Sequence, residues 1–239
     1  MTEASATPVA LVTGSRTGIG RRLSEFLLSA GYSVVGCSRR ASEWSANGYT
    51  HIECDVTQER DVKALFREIT QIHGRLDVAI NNAGTASMNH FLLTPVTTVR
   101  SMLETHVVGT FLVSREAVLL MRKRKYGRIL NVGTVAVPLR LAGEAAYVAA
   151  KQAVVGLSQV MAKEVAEFGI TVNVVGPGPT PTELIHGVPK SKIDALIASL
   201  AVKRLSTFED VWNVVQFFLR PESSSVTGQV VYLGGVPNN

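Results

Sequence analysis

Seven short β-branched runs, separated by longer stretches of helical period, constrain this chain more than any other feature. The runs are Val9 to Thr13, Ser33 to Cys37, Thr50 to Glu53, Leu76 to Asn81, Arg128 to Val132, Thr171 to Val175 and Gln229 to Leu233. Helical periodicity marks Arg21 to Ala30, Glu59 to His73, Val99 to Lys125, Ala145 to Phe168 and Glu209 to Leu219. Strands joined through helices run parallel with right-handed crossovers. The pattern predicts an α/β fold, a doubly wound parallel seven-stranded sheet covered by helices on both faces. At 239 residues, of which 46% are hydrophobic, the chain has the size of a single domain, 1–239. Ligands of such a sheet bind beyond the carboxyl ends of its strands, where strand order reverses. Gly14, Asn82, Thr134 and Pro177 each follow a strand there, so separated motifs can converge. The segment from Gly176 to Leu200, rich in Pro and Thr and then weakly helical, reads as a mobile flap over that edge.

The first strand leads into Thr13-Gly14-Ser15-Arg16-Thr17-Gly18-Ile19-Gly20. Small residues there let backbone approach a pyrophosphate, and the first N–H groups of the next helix carry partial positive charge to hold it. The spacing Gly-x-x-x-Gly-x-Gly is neither the Gly-x-Gly-x-x-Gly fingerprint nor a phosphate loop ending in Gly-Lys-Ser/Thr. On its own it also fits a tight strand-to-helix turn with close packing.

Net charge is +5, with cations gathered in Arg21-Arg22, Arg39-Arg40 and Arg122-Lys123-Arg124-Lys125. Such clusters suit an anionic small ligand or partner better than a nucleic-acid stripe. Cys37 and Cys54 form no Cys-x-x-Cys, and His51, His73, His90, His106 and His186 show no paired spacing, so neither a disulfide framework nor a metal site is expected. Met1 to Pro8 lacks basic residues and a long apolar core, and no apolar run reaches the roughly 18 residues of a membrane span. The expectation is a soluble, unprocessed, cytoplasmic protein.

Tyr147-Val148-Ala149-Ala150-Lys151 places a phenol and an ammonium four residues apart, on one face of a helix. A free phenol titrates near 10, so proton transfer near neutral pH calls for a neighbouring positive charge, which Lys151 can supply. The pair alone is weak, since a chance Tyr-x-x-x-Lys occurs in about one such sequence in six.

Together with the glycine turn and Asn81-Asn82-Ala83-Gly84 after the fourth strand, the pair resembles the short-chain dehydrogenase/reductase family. Asp55-Val56 after the third strand, and Pro177-Gly178 with Thr182 after the sixth, extend the resemblance over essentially the whole chain. It implies a Rossmann-type domain with a nicotinamide dinucleotide along the strand ends. Gly14, Ser15, Arg16, Thr17, Gly18, Ile19 and Gly20 would form its phosphate turn. Asp55 and Val56 would touch the adenine, and Asn82, Ala83 and Gly84 would line the adenosine ribose. Thr180 and Thr182, beyond Pro177 and Gly178, would hold the carboxamide and phosphate region. Tyr147 would protonate a carbonyl oxygen, and Lys151 would lower that phenol's pKa and bond the nicotinamide ribose. Purely structural roles also fit some of these residues: Asn81 and Asn82 can cap a turn, and Pro177 can end a strand.

Two positions depart from the family pattern. Thr134 stands where the family carries Ser, thirteen residues before the Tyr; its hydroxyl donates and accepts equally well, but its methyl narrows the pocket. His106 stands where an Asn supports a water relay to the active-site Lys; imidazole can bond water, or it can be a helix histidine satisfied by backbone.

Cofactor choice is read from the end of the second strand. A carboxylate expected there for a ribose 2′-hydroxyl is absent until Glu43, whereas Ser38, Arg39 and, across the turn, Arg16 suit a 2′-phosphate. The expectation is NADP(H), with an ordinary solvated loop as the plain alternative for Arg39 and Arg40.

Among relatives the chain looks most like bacterial 3-oxoacyl carrier-protein reductases, with Arg124, Lys125 and Arg128 matching a basic docking region for an acyl carrier protein. Phe168 stands where those reductases place a second basic residue, and a helix dipole alone also explains cations at a helix end. The resulting expectation is NADPH-dependent reduction of a ketone to a secondary alcohol by a homotetramer built through the two long helices and the last strand. Alternatives are an alcohol dehydrogenase of a sugar, steroid or secondary metabolite, or a weakly catalytic dinucleotide-binding subunit.

Overall fold

Alternation along the first strand shows how the two helical layers arise. In a computed structural model that describes residues 7–182 and 188–236, Val9 and Leu11 point into one apolar layer and Ala10 and Val12 into the other. The strands are β1 (Val9–Thr13), β2 (Ser33–Ser38), β3 (Tyr49–Glu53), β4 (Val78–Asn81), β5 (Gly127–Val132), β6 (Ile170–Gly176) and β7 (Val230–Tyr232). All pair in parallel, in the order β3-β2-β1-β4-β5-β6-β7. Order reverses between β1 and β4, which places the switch point beside the glycine turn. The predicted seven-stranded doubly wound sheet is the one observed.

The helices are α1 (Gly18–Ser29), α2 (Glu59–His73), α3 (Val96–Leu103), α4 (Gly109–Met121), α5 (Ala136–Leu139), α6 (Ala145–Glu164), α7 (Lys190–Ser199) and α8 (Phe208–Leu219). Val62, Leu65, Phe66 and Ile69 of α2 pack with Leu112, Val113, Ala117 and Met121 of α4 on one face of the sheet. Leu23 and Leu27 of α1 pack with Val211, Val215 and Phe218 of α8 on the other. α8 opens with a reciprocal capping box: Asp210 N–H donates to the Thr207 hydroxyl, and Thr207 N–H donates to the Asp210 carboxylate.

Several boundaries differ from the sequence reading. The helix expected over Val99 to Lys125 begins earlier, at Val96, and is interrupted by a π-turn at Glu104–Val108 before α4 and a 3₁₀ turn at Arg122–Arg124. Close approach bears on this interruption, since a Cβ on Gly109 would lie 2.9 Å from Val56 Cγ2. The helix expected to reach Phe168 ends at Glu164 and passes through a 3₁₀ turn, Ala166–Phe168, to Gly169 at φ 68°. The expected flap contains α7, while residues 183–187, with His186, lie outside the described residues. α5, after β5, had no periodic signal because it is a single short turn.

Candidate active site

The glycine turn is built by contact. Gly14 has φ 67°, and a Cβ on it would lie 2.9 Å from Ala83 Cα; a Cβ on Gly20 would lie 2.3 Å from the Gly14 carbonyl oxygen and 2.4 Å from Asn82 Nδ2. Asn82 stitches the two strand ends together: its Nδ2 donates to the carbonyls of Thr13 (2.9 Å) and Gly14 (3.2 Å), while the Thr13 hydroxyl accepts from the N–H groups of Asn82 and Ala83. The turn-capping role of Asn82 is therefore real, and it holds two motifs in register. α1 starts at Gly18, its first N–H groups receive no side-chain cap from Thr17, and the first turn of a helix carries the partial positive charge that an anion seeks. Arg16 and Arg39 are exposed, and the Ser38 hydroxyl donates to the Arg40 carbonyl at 2.7 Å.

Across the switch point, Asp55 accepts from the Thr57 N–H and hydroxyl through one oxygen, a closed turn that leaves Val56 packed inward. Thr13, Val56, Asn81, Ala83, Thr105 and Gly109 line a small recess beside it. Asn81 itself is buried, donating to Ser114 of α4 and to Asn131 of β5, so it fixes the sheet and does not reach the strand edge. After β6, Pro177, Gly178, Thr180 and Thr182 are buried, and the Thr180 hydroxyl donates to the Gly178 carbonyl at 3.0 Å.

Tyr147 and Lys151 lie one turn apart on α6, with the ammonium 5.9 Å from the centre of the phenol ring. Lys151 is buried, and its Nζ donates to the Val132 carbonyl at the end of β5, 2.6 Å away. Burial pulls the Lys151 ammonium down to about 8. Burial also pushes the Tyr147 phenol up to about 12, a hydrogen bond from Thr134 works to lower it, and the Glu144 carboxylate nearby raises it further. The group that lowers the phenol is thus Thr134, whereas Lys151 is turned to a backbone carbonyl. The Thr134 hydroxyl also accepts from Ala136 N–H at 3.2 Å, which opens α5 and fixes the residue beside the phenol.

His106 enters the same site from the π-turn. It is 2% exposed, its Nε2–H donates to the Thr85 carbonyl at 2.8 Å, and its ring meets that of Tyr147 edge-on at 5.5 Å. Its Nδ1 is buried with no partner among the described residues. Burial first, and then the Lys151 ammonium, push the imidazole down to about 3, so it is neutral. The backbone-satisfied reading describes Nε2, while Nδ1 is left as a spare acceptor. Gly84 is what makes room, since a Cβ there would lie 2.5 Å from His106 Cε1.

As with the expected lowering of the Tyr147 phenol by Lys151, the structure corrects the expected docking role of Arg128. Arg128 is 3% exposed, its guanidinium lies over the Tyr126 ring and donates to the carbonyls of Gly127 and Pro221, so it is not free to dock a carrier protein. Arg124 and Lys125 are exposed but precede β5, at the end of the sheet opposite the site. Sequence reasoning also missed a side-chain chain at the edge of the cofactor turn, Ser15–Tyr49–His51–Ser38. Its available signal was Tyr49-x-His51, two polar rings on one face of a strand. No cluster of metal-ligating side chains occurs among the described residues, and none of their helices is long and apolar enough to cross a membrane.

Comparison with known proteins agrees with this geometry. A family model described as enoyl-(acyl carrier protein) reductase matches residues 14–235. The 3-oxoacyl-(acyl-carrier-protein) reductase FabG of Vibrio cholerae serotype O1 is 31% identical over 95% of this chain and 96% of its own. Among solved structures, an actinorhodin polyketide ketoreductase with NADPH superposes with TM-score 0.87 at 27% identity, over 98% of each chain. The aldohexose dehydrogenase of Thermoplasma acidophilum superposes with TM-score 0.87 at 28% identity, over 96% of this chain and 94% of that one. With the glycine turn, the Asn82 stitch and the Tyr147–Lys151 pair at one sheet edge, these matches establish that the chain belongs to the short-chain dehydrogenase/reductase family of oxidoreductases.

Proposed function

We propose that this protein reduces a ketone, of the 3-oxoacyl thioester class, to a secondary alcohol with NADPH, and that Tyr147 is the proton donor. The observation that carries the reading is the placement of the Tyr147 phenol beside Thr134, with the Lys151 ammonium 5.9 Å from the centre of its ring and tied to the Val132 carbonyl. The residues present fit a dinucleotide. A Cβ would fill the turn at Gly14 and Gly20, and the uncapped start of α1 offers N–H groups to a pyrophosphate. Arg16, Ser38 and Arg39 form a cationic, hydroxyl-bearing rim suited to a 2′-phosphate, with no carboxylate among them. Asp55 and Val56 would touch the adenine, Asn82, Ala83 and Gly84 would line the adenosine ribose, and Thr180 and Thr182 would hold the carboxamide and phosphate region. The bound cofactor supplies the hydride, and the protein supplies position and charge.

Thr134 and Tyr147 present two hydroxyls to one carbonyl oxygen, and hydrogen bonds aimed at that oxygen stabilise the charge that develops on it. Tyr147 then passes its phenolic proton to the oxygen, and Lys151 stabilises the phenolate left behind. His106 offers its spare Nδ1 to a water on the path by which the phenol is reprotonated. The thioester class is supported by the names of the curated relatives and receives no support from the basic helix end, which faces away from the site. A cytoplasmic homotetramer belongs to the same reading, supported by the exposed apolar side chains Phe111 and Leu119 of α4 and Val160 of α6.

The test is oxidation of NADPH and of NADH against a short 3-oxoacyl thioester, beside Tyr147→Phe. Turnover with NADPH, reduced about 10²- to 10⁴-fold in the variant at unchanged cofactor affinity, is the expected result. A phenylalanine variant as active as the wild type overturns the assignment of the acid.

A further inference from the structure

The edge of the glycine turn holds four side chains in one hydrogen-bonded line that the reduction itself does not use. Ser15 Oγ lies 2.9 Å from Tyr49 Oη, Tyr49 Oη lies 2.9 Å from His51 Nδ1, and His51 Nε2 lies 3.0 Å from Ser38 Oγ and 3.2 Å from the Arg40 carbonyl oxygen. The directions of these bonds follow from chemistry. A carbonyl only accepts, so Nε2 carries the proton and donates toward Arg40 and Ser38, whose own hydroxyl is spent on the same carbonyl. In a neutral imidazole Nδ1 then accepts, so Tyr49 donates to it, and Ser15 donates to Tyr49. The line runs one way, from the turn to the end of β2. Gly36 keeps its space open, since a Cβ there would lie 2.1 Å from Tyr49 Oη and 2.3 Å from Ser15 Oγ.

Protonation of His51 reverses the line. Nδ1 becomes a donor, Tyr49 must accept from it and give its own proton to Ser15, and the Ser15 hydroxyl is released to donate into the turn. The charged groups acting on the imidazole are Glu53 on its own strand, which favours the cation, and Arg16 of the turn, which opposes it. Arg40 contributes only its carbonyl; Trp44 packs on Tyr49 at 4.2 Å with Arg21 over the indole, one layer farther out. Burial holds His51 below its ordinary value, so it is mostly neutral near pH 7.

We propose that His51 selects the 2′-phosphorylated cofactor: a phosphate arriving beside Ser38 and Arg39 draws a solvent proton onto His51, and Tyr49 relays that change to Ser15 in the glycine turn. The proposal rests on the NADPH reading above. A phosphate dianion favours the imidazolium that Arg16 opposes, and it pairs with Arg16 as it arrives. By linkage, whatever favours protonation of His51 in the complex strengthens binding as pH falls. A nucleotide with a bare 2′-hydroxyl has no such effect.

Calorimetric titration of NADPH and NADH into wild type and His51→Gln, in buffers of different ionisation enthalpy, tests it. Near pH 7, NADPH is expected to bind wild type with net proton uptake that NADH lacks and that His51→Gln abolishes. Between about pH 7.5 and 5.5 the preference for NADPH over NADH should grow roughly fivefold more in wild type than in the variant, for an imidazole raised by about one pH unit. NADPH preference with equal proton uptake in both proteins overturns the role of His51 and leaves the cofactor reading standing. Equal affinity for NADPH and NADH at every pH overturns both. If His51→Gln does not fold, His51→Asn takes its place, and NADPH uptake in wild type that exceeds the uptake in that variant is the expected result, while equal exchange in the two, in which release from the phosphate is common, refutes the proposal.

Discussion

Replacing Lys151 with Met should make the protein more stable and inactive at once. In the fold the ammonium is 5% exposed and burial takes it from 10.5 to about 8, whereas in the unfolded chain it keeps its ordinary value. The unfolded state therefore binds more protons between those two values, and stability rises with pH across that window. Below about pH 8 the penalty is fully present and amounts to about 3 kcal/mol, at about 1.4 kcal/mol for each pH unit. Met removes that penalty but leaves the Val132 carbonyl, now 2.6 Å from Nζ, without its donor, a loss of about 1 kcal/mol. The net gain at neutral pH is about 2 kcal/mol, or about 4 to 8 °C in Tm for a domain of this length. Urea unfolding of both proteins at pH 7, 8.5 and 10 is the assay. Cys37, Tyr32, Tyr49 and Tyr232 are all raised by the fold, so each loses stability as the unfolded chain ionises, but they are shared and cancel in the difference. A Met variant no more stable than wild type at pH 7, or an advantage that does not shrink toward pH 10, refutes the argument.

Gly20→Ala should cost about 1 to 3 kcal/mol, because its Cβ would press on the Gly14 carbonyl and the Asn82 amide, and cofactor affinity should fall with it; thermal melting with a cofactor titration checks both. His106→Asn should lower stability by about 1 to 2 kcal/mol through the lost Thr85 bond and ring packing. An imidazole already neutral down to about 3 contributes no ionisation near pH 6.5, so the kcat profile between about pH 5 and 9 should keep its shape in this variant while its height changes.

The sheet was legible because each strand is an apolar run bounded by turn residues, and all seven lie where the β-branched runs placed them, with edges moved by one or two residues. The site was legible where backbone geometry demands a residue type: Gly14 and Gly20 by contact, Asn82 by the two carbonyls it must reach. The π-turn was not legible, because a helix that gains one residue in a turn keeps nearly the same apolar period on either side, and only the inward position of His106 records the shift. Arg128 misled for a similar reason. A cation at a strand start reads as surface, and nothing local announces the Tyr126 ring beneath it or the Pro221 carbonyl contributed from 93 residues away. Partners distant in sequence decided each of these cases.

The same burial sets the resting protonation of the site. Tyr147, Lys151 and His106 crowd one dry edge of the sheet, and each is displaced toward its neutral form. For Lys151 and His106 that means losing a proton, and for Tyr147 it means keeping one. A phenol pushed up to about 12 is loaded with its proton at any physiological pH, but as a weaker acid than a free phenol it needs the phenolate stabilised as the proton leaves. The phenolate, formed as the proton leaves in reduction and required at the start of alcohol oxidation, lies about 7 kcal/mol above the phenol at pH 7, so turnover in either direction needs positive charge beside it. The Thr134 hydroxyl offsets only part of this, and Glu144 adds to it. Glu144, itself raised by burial, therefore weighs on proton transfer in both directions: its charge, where present, holds the phenolic proton in place, and the ammonium of Lys151 is the group placed to offset it.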